Sequence, residues 1–156
     1  VFLAAPMDGA SEYGSARDFA MRVVQSLREH CGIAEVFYAG SSIVEREDFE
    51  EPAVSMQRNL HPFRSARCFA MIFPESKCSS VLVEAGMALA FGMHSVYFVR
   101  RREDLPWMLR DVGSSGDDKL GTVRVVEYRD ESDLLRKIRT NGPSLFPRRA
   151  QRVEAL

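Results

Sequence analysis

CFAMIF at residues 68–73, stopped by Pro74, and SSVLVEAGMALAFG at residues 79–92 together decide the fold. The first stretch is a continuous apolar run of strand length, and the second has the small and apolar residues of a helix that ends at Gly92. A buried strand followed by a helix is the repeating unit of open α/β sheets, which bind ligands at the carboxyl ends of their strands. These residues therefore predict a parallel sheet with a ligand site beside the start of the helix.

The same alternation of strand and helix continues on both sides of this unit. Apolar runs predict further strands at residues 1–5, 36–39, 94–99 and 122–127, and helical spacing predicts helices at residues 15–31, from residue 52 onward and at residues 132–139. We therefore predict a flavodoxin-like, Rossmann-like three-layer α/β sandwich with a five-stranded parallel sheet of order 2-1-3-4-5. Gly142-Pro143 is expected to end the one domain, residues 1–142, and residues 143–156 are expected to form a C-terminal tail.

The composition is that of a globular protein without a strong charge. The chain has 156 residues, of which 46% are hydrophobic and 28% are charged, and its formal net charge is -1. This balance gives no bulk attraction to nucleic acid, so no nucleic-acid partner is expected. The apolar runs are shorter than the roughly 20 residues that span a bilayer, so no membrane association is expected. Three cysteines without CxxC or metal-ligand spacing favour a reducing, cytoplasmic compartment.

Glu84 is the first candidate for chemistry, because it is a lone carboxylate among apolar residues. It lies one full turn inside the predicted helix, so its side chain leans back toward the strand ends. A buried, unpaired carboxylate destabilises a fold, so Glu84 needs a partner, a ligand or a raised pKa. In a cleft it can accept hydrogen bonds from ribose hydroxyls, attack an anomeric carbon or stabilise an oxocarbenium-like transition state. The alternative is an exposed helix glutamate with no task.

The loops after the first three strands supply the other candidates. Asp8 either forms a turn or faces Glu84 as a second carboxylate, and two carboxylates in one cleft have pKa values that move apart. Ser79 and Ser80 either only cap the helix or bind a phosphate together with the free N–H groups of its first turn. The remaining predicted substrate-binding residues are Ala5, Pro6, Met7, Tyr13, Gly40, Ser41 and Glu75.

Several common chemistries have no motif in this sequence. A metal site is not expected, because His30, His61 and His94 fall in different predicted elements without ligand spacing. Walker, GxGxxG, HExxH and GxSxG motifs do not occur, which disfavours NTPases, dinucleotide dehydrogenases, metalloproteases and common serine hydrolases. No cofactor is therefore expected.

Three patches of the sequence resemble the nucleoside 2-deoxyribosyltransferase-like group, which is structurally akin to TIR domains. Residues 1–6 are similar to its opening strand and proline-bearing substrate loop, residues 80–90 to its helix with the catalytic glutamate, and residues 92–98 to the turn into its next strand. The resemblance implies cleavage of an N-glycosidic bond, with Glu84 as the catalytic residue. It also implies a homo-oligomer, because the transferases complete their site with a neighbouring subunit. The group's usual aspartate before the third strand is replaced here by Ala66-Arg67.

The sequence therefore predicts an N-glycosidase that acts on a nucleoside or nucleotide, as an NAD+ glycohydrolase or a deoxyribosyltransferase-like enzyme. Glu84 is the expected nucleophile or transition-state stabiliser, and Asp8 is the expected helper acid or ligand of sugar hydroxyls. The chain starts at Val1 within a strand, which favours an effector domain fused to a regulatory domain, by analogy with TIR-type defence proteins. The alternatives are a module that senses a nucleotide without cleaving it and a scaffold that binds no ligand.

Overall fold

The structure is a computed structural model that describes residues 1–7, 13–44, 46–74, 79–112 and 122–146. Five strands form one sheet: β1 (Phe2–Ala4), β2 (Phe37–Tyr38), β3 (Cys68–Phe73), β4 (His94–Val99) and β5 (Val123–Glu127). Their order is β2-β1-β3-β4-β5, and every neighbouring pair is parallel. The predicted α/β sandwich with a parallel sheet of order 2-1-3-4-5 is confirmed.

Helices cover both faces of this sheet. The long helices α1 (Tyr13–Cys31) and α5 (Glu131–Leu145) pack on one face. The other face is covered by α2 (Pro52–Ser65), α3 (Ser79–Ala90) and the short α4 (Trp107–Arg110). All six residues of β3 are buried, because alternate side chains enter the two cores on opposite faces. The continuous apolar run of β3 is thus typical of a strand that is covered on both sides.

The ends of two helices differ from the prediction. β3 and β4 agree residue by residue, but α1 begins at Tyr13, two residues early. α5 begins at Glu131 and runs on to Leu145, beyond its predicted end at residue 139. Gly142 and Pro143, which were expected to end the domain, therefore lie inside this helix. Leu145 and Phe146 are buried in the core shared with α1, and this packing outweighs the helix-breaking tendency of the Gly-Pro pair. The chain beyond residue 146, including most of the predicted tail, lies outside the described residues.

Gly142 allows α1 and α5 to approach each other closely. A Cβ atom added to Gly142 would lie 2.3 Å from the Sγ atom of Cys31, the last residue of α1. Both residues are buried, so the sulfur has little room to move away. The glycine is therefore explained by the contact between the helices, although glycine is a poor helix former.

We expect Gly142→Ala to lower the free energy of unfolding by about 1–3 kcal/mol, because the added methyl group overpacks the contact between α1 and α5. Cys31→Ala removes the sulfur atom, so the double variant should lose less stability than the sum of the two single variants. Urea denaturation of the four proteins, followed by circular dichroism, measures this difference. Strictly additive losses would contradict the contact.

Candidate active site

The sheet order reverses between β1 and β3, and in open α/β sheets a crevice for ligands lies at the carboxyl ends of two such strands. β1 leads through α1 to β2 on one side, while β3 lies on the other side of β1 and leads to α3. This switch point is where open α/β sheets bind ligands. Beyond β1 come the buried Ala5 and Pro6 and the half-buried Met7.

Glu84 lies on the flank of α3 that faces α2. The buried residues of α3, which point toward the sheet, are Val81, Ala85 and Ala88. Glu84 is half-buried beside them and shares its flank with Phe91, two turns further along. The ring of Phe91 lies 6.1 Å from the ring of Phe63 in α2. We refer to the space between α2 and α3 as the groove. Helix phase places Glu84 on its α3 side, in the second turn of the helix from the strand ends.

The carboxyl group of Glu84 has lost solvation on burial. Within the described ranges, no hydrogen bond or ion pair joins it to another residue. Burial raises the pKa of Glu84 from 4.5 to about 7, and loss of solvation is the cause. At neutral pH both the acid and the carboxylate are therefore populated. This is the range in which a carboxyl group serves as a nucleophile or as an acid–base catalyst.

α2 supplies the other wall of the groove. Asn59 lies one turn before Phe63, and its Oδ1 atom is buried with no hydrogen-bond partner in the described part of the chain. Met56 lies two turns before Phe63 and is exposed. Because Phe63 and Phe91 are in contact, this side of α2 extends along the groove toward Glu84. Asn59 is not among the site residues predicted from the sequence. The one signal for it is the spacing of residues 56, 59 and 63, which places them on the same side of a helix.

A second cluster lies at the carboxyl end of β2. Arg17 of α1 donates hydrogen bonds to the backbone carbonyls of Gly40 and Ser41, at 3.1 and 3.2 Å. The hydroxyl of Tyr13 donates to the carbonyl of Ile43 at 2.9 Å. These bonds hold the turn after β2 against the start of α1. Tyr13, Gly40 and Ser41 are thus brought together, and their polar groups are engaged with this turn.

Tyr38 places a buried hydroxyl in the same cluster. The residue is almost fully buried, and its hydroxyl has no partner among the residues that the structure describes. Burial raises the pKa of Tyr38 above its usual range. A Cβ atom on Gly40 would lie 2.3 Å from this hydroxyl, so Gly40 accommodates the ring of Tyr38. The sequence placed Tyr38 in a strand, where its ring could stack on a base or pack in the core, but it did not point to the hydroxyl.

The other predicted site residues have different positions. Ser80 lies exposed in the first turn of α3, close to the crevice. Ser79 begins α3, but its side chain lies outside the description. Asp8 and Glu75 both lie outside the described residues.

Two other kinds of site have no counterpart in the described parts of the chain. No group of three His, Cys, Asp or Glu residues there is arranged to hold a metal ion. None of the described helices combines the length and the apolar character needed to cross a bilayer.

A surface depression of about 470 Å³ lies on α1, on the opposite side of the sheet from Glu84. It is lined by Met21, Arg22, Val24, Gln25, Arg28 and Glu29. One helix provides its whole lining, so it is a feature of the surface of α1 and is separate from the groove.

Comparison with known proteins identifies relatives by structure. No family model matches the chain, and no curated protein matches its sequence. The CMP N-glycosidase BcmB of Clostridium botulinum matches with a TM-score of 0.63 and 19% identity, over 88% of this chain and 94% of that one. A conserved protein from Enterococcus faecalis V583 matches with a TM-score of 0.53 and 15% identity, over 90% of this chain and 96% of that one. At these identities the likeness shows a shared fold, and the relation to TIR domains stays a prediction.

The burial of Glu84 predicts a stability that depends on pH. Between its unfolded pKa of 4.5 and its folded pKa of about 7, the folded chain keeps a proton that the unfolded chain has lost. The free energy of unfolding therefore falls as the pH rises through this window, and it stays at its lower value above it. Glu84→Gln has no carboxyl group to ionise, so its stability does not fall with pH in this way. We therefore expect the variant to be more stable than the wild type by roughly 2–3 kcal/mol near pH 8 and equally stable near pH 4.

Urea denaturation at the two pH values measures this difference. Glu29→Gln, at an exposed position of α1, is the matched control and should change the stability little at either pH. A gain for Glu84→Gln that is the same at both pH values would show that burial of the carboxylate is not its cause.

Proposed function

We propose that this protein cleaves the N-glycosidic bond of a nucleoside or nucleotide, with Glu84 as the nucleophile. The observation that carries the proposal is the half-buried carboxyl group of Glu84, which has no partner among the described residues and a pKa of about 7, beside the switch point of the sheet. The sequence resemblance to the nucleoside 2-deoxyribosyltransferase-like group supports the same reaction class. The fold shared with a CMP N-glycosidase supports it as well, and both supports are analogies.

In the proposed reaction the Glu84 carboxylate attacks the anomeric carbon of the sugar. A C–O ester bond forms as the C–N bond breaks, and the base leaves with the electron pair and takes up a proton. Water then attacks the same carbon, which releases the sugar and restores the carboxylate. Transfer to a second base follows the same path, with that base in place of water. Loss of solvation makes the Glu84 carboxylate more basic and therefore a stronger nucleophile.

Two proposed roles depend on the loops beside the crevice. Asp8 is proposed as the proton donor to the leaving base or as a ligand of the sugar hydroxyls. The start of α3, with Ser80 in its first turn, is proposed to bind a phosphate group of the substrate, since free N–H groups and the helix dipole favour an anion there. A nucleoside monophosphate therefore fits the proposal best, and NAD+ enters only as a second substrate to be tested. No cofactor takes part in the proposed reaction.

We expect the wild type to release free base from at least one compound in a panel of nucleosides, nucleoside monophosphates such as CMP, and NAD+. Glu84→Gln should lower kcat/KM by at least about a thousandfold, because it removes the nucleophile and keeps the shape of the side chain. Glu29→Gln should keep the wild-type rate. Chromatography of the reaction mixtures at high protein concentration measures base and remaining substrate.

Two outcomes of this experiment would favour the alternatives. A nucleotide that raises the melting temperature of both the wild type and Glu84→Gln, and that stays intact, would contradict catalysis and favour a sensing module. Intact compounds without any change in melting temperature would favour a scaffold.

The pH dependence separates two roles of Glu84. A nucleophile must be ionised, so kcat/KM should rise with pH and level off above an apparent pKa near 7, the value that burial gives Glu84. A general acid must be protonated, and its rate would fall through the same range. Initial rates of base release across this range decide between them, and a falling profile would contradict the nucleophilic role.

A further inference from the structure

Side chains from the start of α1 contact the chain that joins β2 to α2. We call this part of the chain the β2–α2 segment and define it as residues 39–44 and 46–51. Leu3 of β1 pairs in parallel with Tyr38, the last residue of β2, so the segment begins beside the carboxyl end of β1. It therefore starts next to the switch point at which open α/β sheets bind ligands.

Most of the β2–α2 segment has few contacts with the hydrophobic core. Ile43 is 2% exposed. Beyond it, none of the described side chains from residue 44 to residue 51 is buried. α2, which follows, buries only Phe63, in its last turn. Hydrophobic packing therefore fixes Ile43 and the end of α2, and the chain between them depends on other contacts for its position.

Tyr13 makes two contacts with the segment. Its hydroxyl donates a hydrogen bond to the backbone carbonyl of Ile43 at 2.9 Å. Its ring meets the ring of Phe49 edge to face, with the ring centroids 5.3 Å apart. Edge-to-face aromatic pairs are stabilising beyond the area that they bury. One side chain at the start of α1 therefore holds two separate points of the segment.

Arg17 holds the beginning of the segment through two hydrogen bonds. Its Nε atom donates to the carbonyl of Gly40 at 3.1 Å, and its Nη2 atom donates to the carbonyl of Ser41 at 3.2 Å. The side chain is 20% exposed, so these charge-assisted bonds are partly shielded from water. A planar guanidinium can bind two neighbouring carbonyls in a fixed geometry that an ammonium group cannot reproduce. Arg17 lies one turn after Tyr13, so both residues act from the same side of α1.

We propose that Tyr13 and Arg17 are positioning residues, which hold the β2–α2 segment as a preformed wall of the substrate site without touching the substrate. When a wall is already ordered, binding of the substrate does not have to order it, and the affinity is higher. Loss of either side chain should therefore weaken substrate binding and leave the bond-breaking step at Glu84 intact. The effect on the substrate rests on the proposed function, whereas the effect on the segment does not.

Amide hydrogen exchange tests whether the two side chains hold the segment. The amides of Ile43 and Val44 are both hydrogen-bonded within it. We expect Tyr13→Leu and Arg17→Met each to speed the exchange of these two amides at least about tenfold and to leave the amides of β3 unchanged, because only the segment loses contacts. Nuclear magnetic resonance measures the exchange residue by residue.

Steady-state kinetics on a compound that the wild type cleaves tests the effect on the substrate. Tyr13→Leu and Arg17→Met should each raise KM at least about fivefold and keep kcat within about twofold, the pattern of lost binding without lost chemistry. Tyr13→Phe keeps the ring and loses the hydroxyl, so it should lie between the wild type and Tyr13→Leu in both measurements. Arg17→Lys keeps the charge without the planar geometry and should rescue only part of the effect of Arg17→Met.

The matched control is Arg28→Met, which removes the same kind of contact at the other end of β2. Arg28 also belongs to α1, and its guanidinium donates to the carbonyl of Val36, just before β2, at 3.4 Å. This variant should change neither the exchange in the segment nor KM. Circular dichroism verifies that each variant is folded, and Tyr13→Phe and Arg17→Lys take the place of a variant that is not.

Each other outcome has a defined meaning. Unchanged exchange in the variants of both residues would overturn the proposal. A rise in KM without faster exchange would also overturn it and would favour direct contact between these side chains and the substrate. Faster exchange with unchanged KM would show that the segment is not a wall of the site. A wild type that cleaves no compound would contradict the proposed function and the effect on the substrate, while the exchange data would still decide whether the segment is held.

Discussion

The burial of β3 on both faces is the constraint on which the rest of the structure depends. All six of its residues are buried, and its backbone pairs with β1 on one side and with β4 on the other. A strand in this position must be covered by helices above and below, so each connection crosses the sheet and returns parallel. From β2 the chain passes beyond β1 to reach β3. α1 follows β1 and α3 follows β3, and these two helices cover opposite faces of the sheet. The crevice between their starting points follows from this topology.

The groove beside the crevice holds polar groups that lack partners in the described part of the chain, where packing alone would favour apolar side chains. Glu84 has lost solvation beside the buried surface of α3, and its raised pKa reflects that loss. Across the groove, the Oδ1 atom of Asn59 is buried and lacks a hydrogen bond within the described ranges. Such groups destabilise a fold, and they are expected where function requires them. In the proposed complex, sugar hydroxyls donate hydrogen bonds to both oxygens.

The sheet and most helices could be predicted from local patterns, because the strands are short apolar runs bounded by Pro or Gly. The end of α5 could not be predicted in this way, since burial of Leu145 in the tertiary structure overrides the local signal of Gly142-Pro143. The half-buried position of Glu84 could be inferred from helix phase, because its apolar neighbours recur at helical spacing. The state of the Tyr38 hydroxyl, which has no partner among the described residues, could not be inferred, because the partners of a buried group depend on residues that are distant in sequence.

α2 is fastened to the molecule at one end. Of its 14 residues, Phe63 in the last turn is the only buried one, and its ring packs with those of Phe2, Phe69 and Phe91. The preceding turns bury no residue, and Pro62 has no N–H group for a backbone hydrogen bond. Few buried contacts mean a low free energy of local unfolding, so the amide hydrogens of these turns should exchange with solvent much faster than those of β3. This wall of the groove can therefore fray and re-form while the sheet beneath it stays intact.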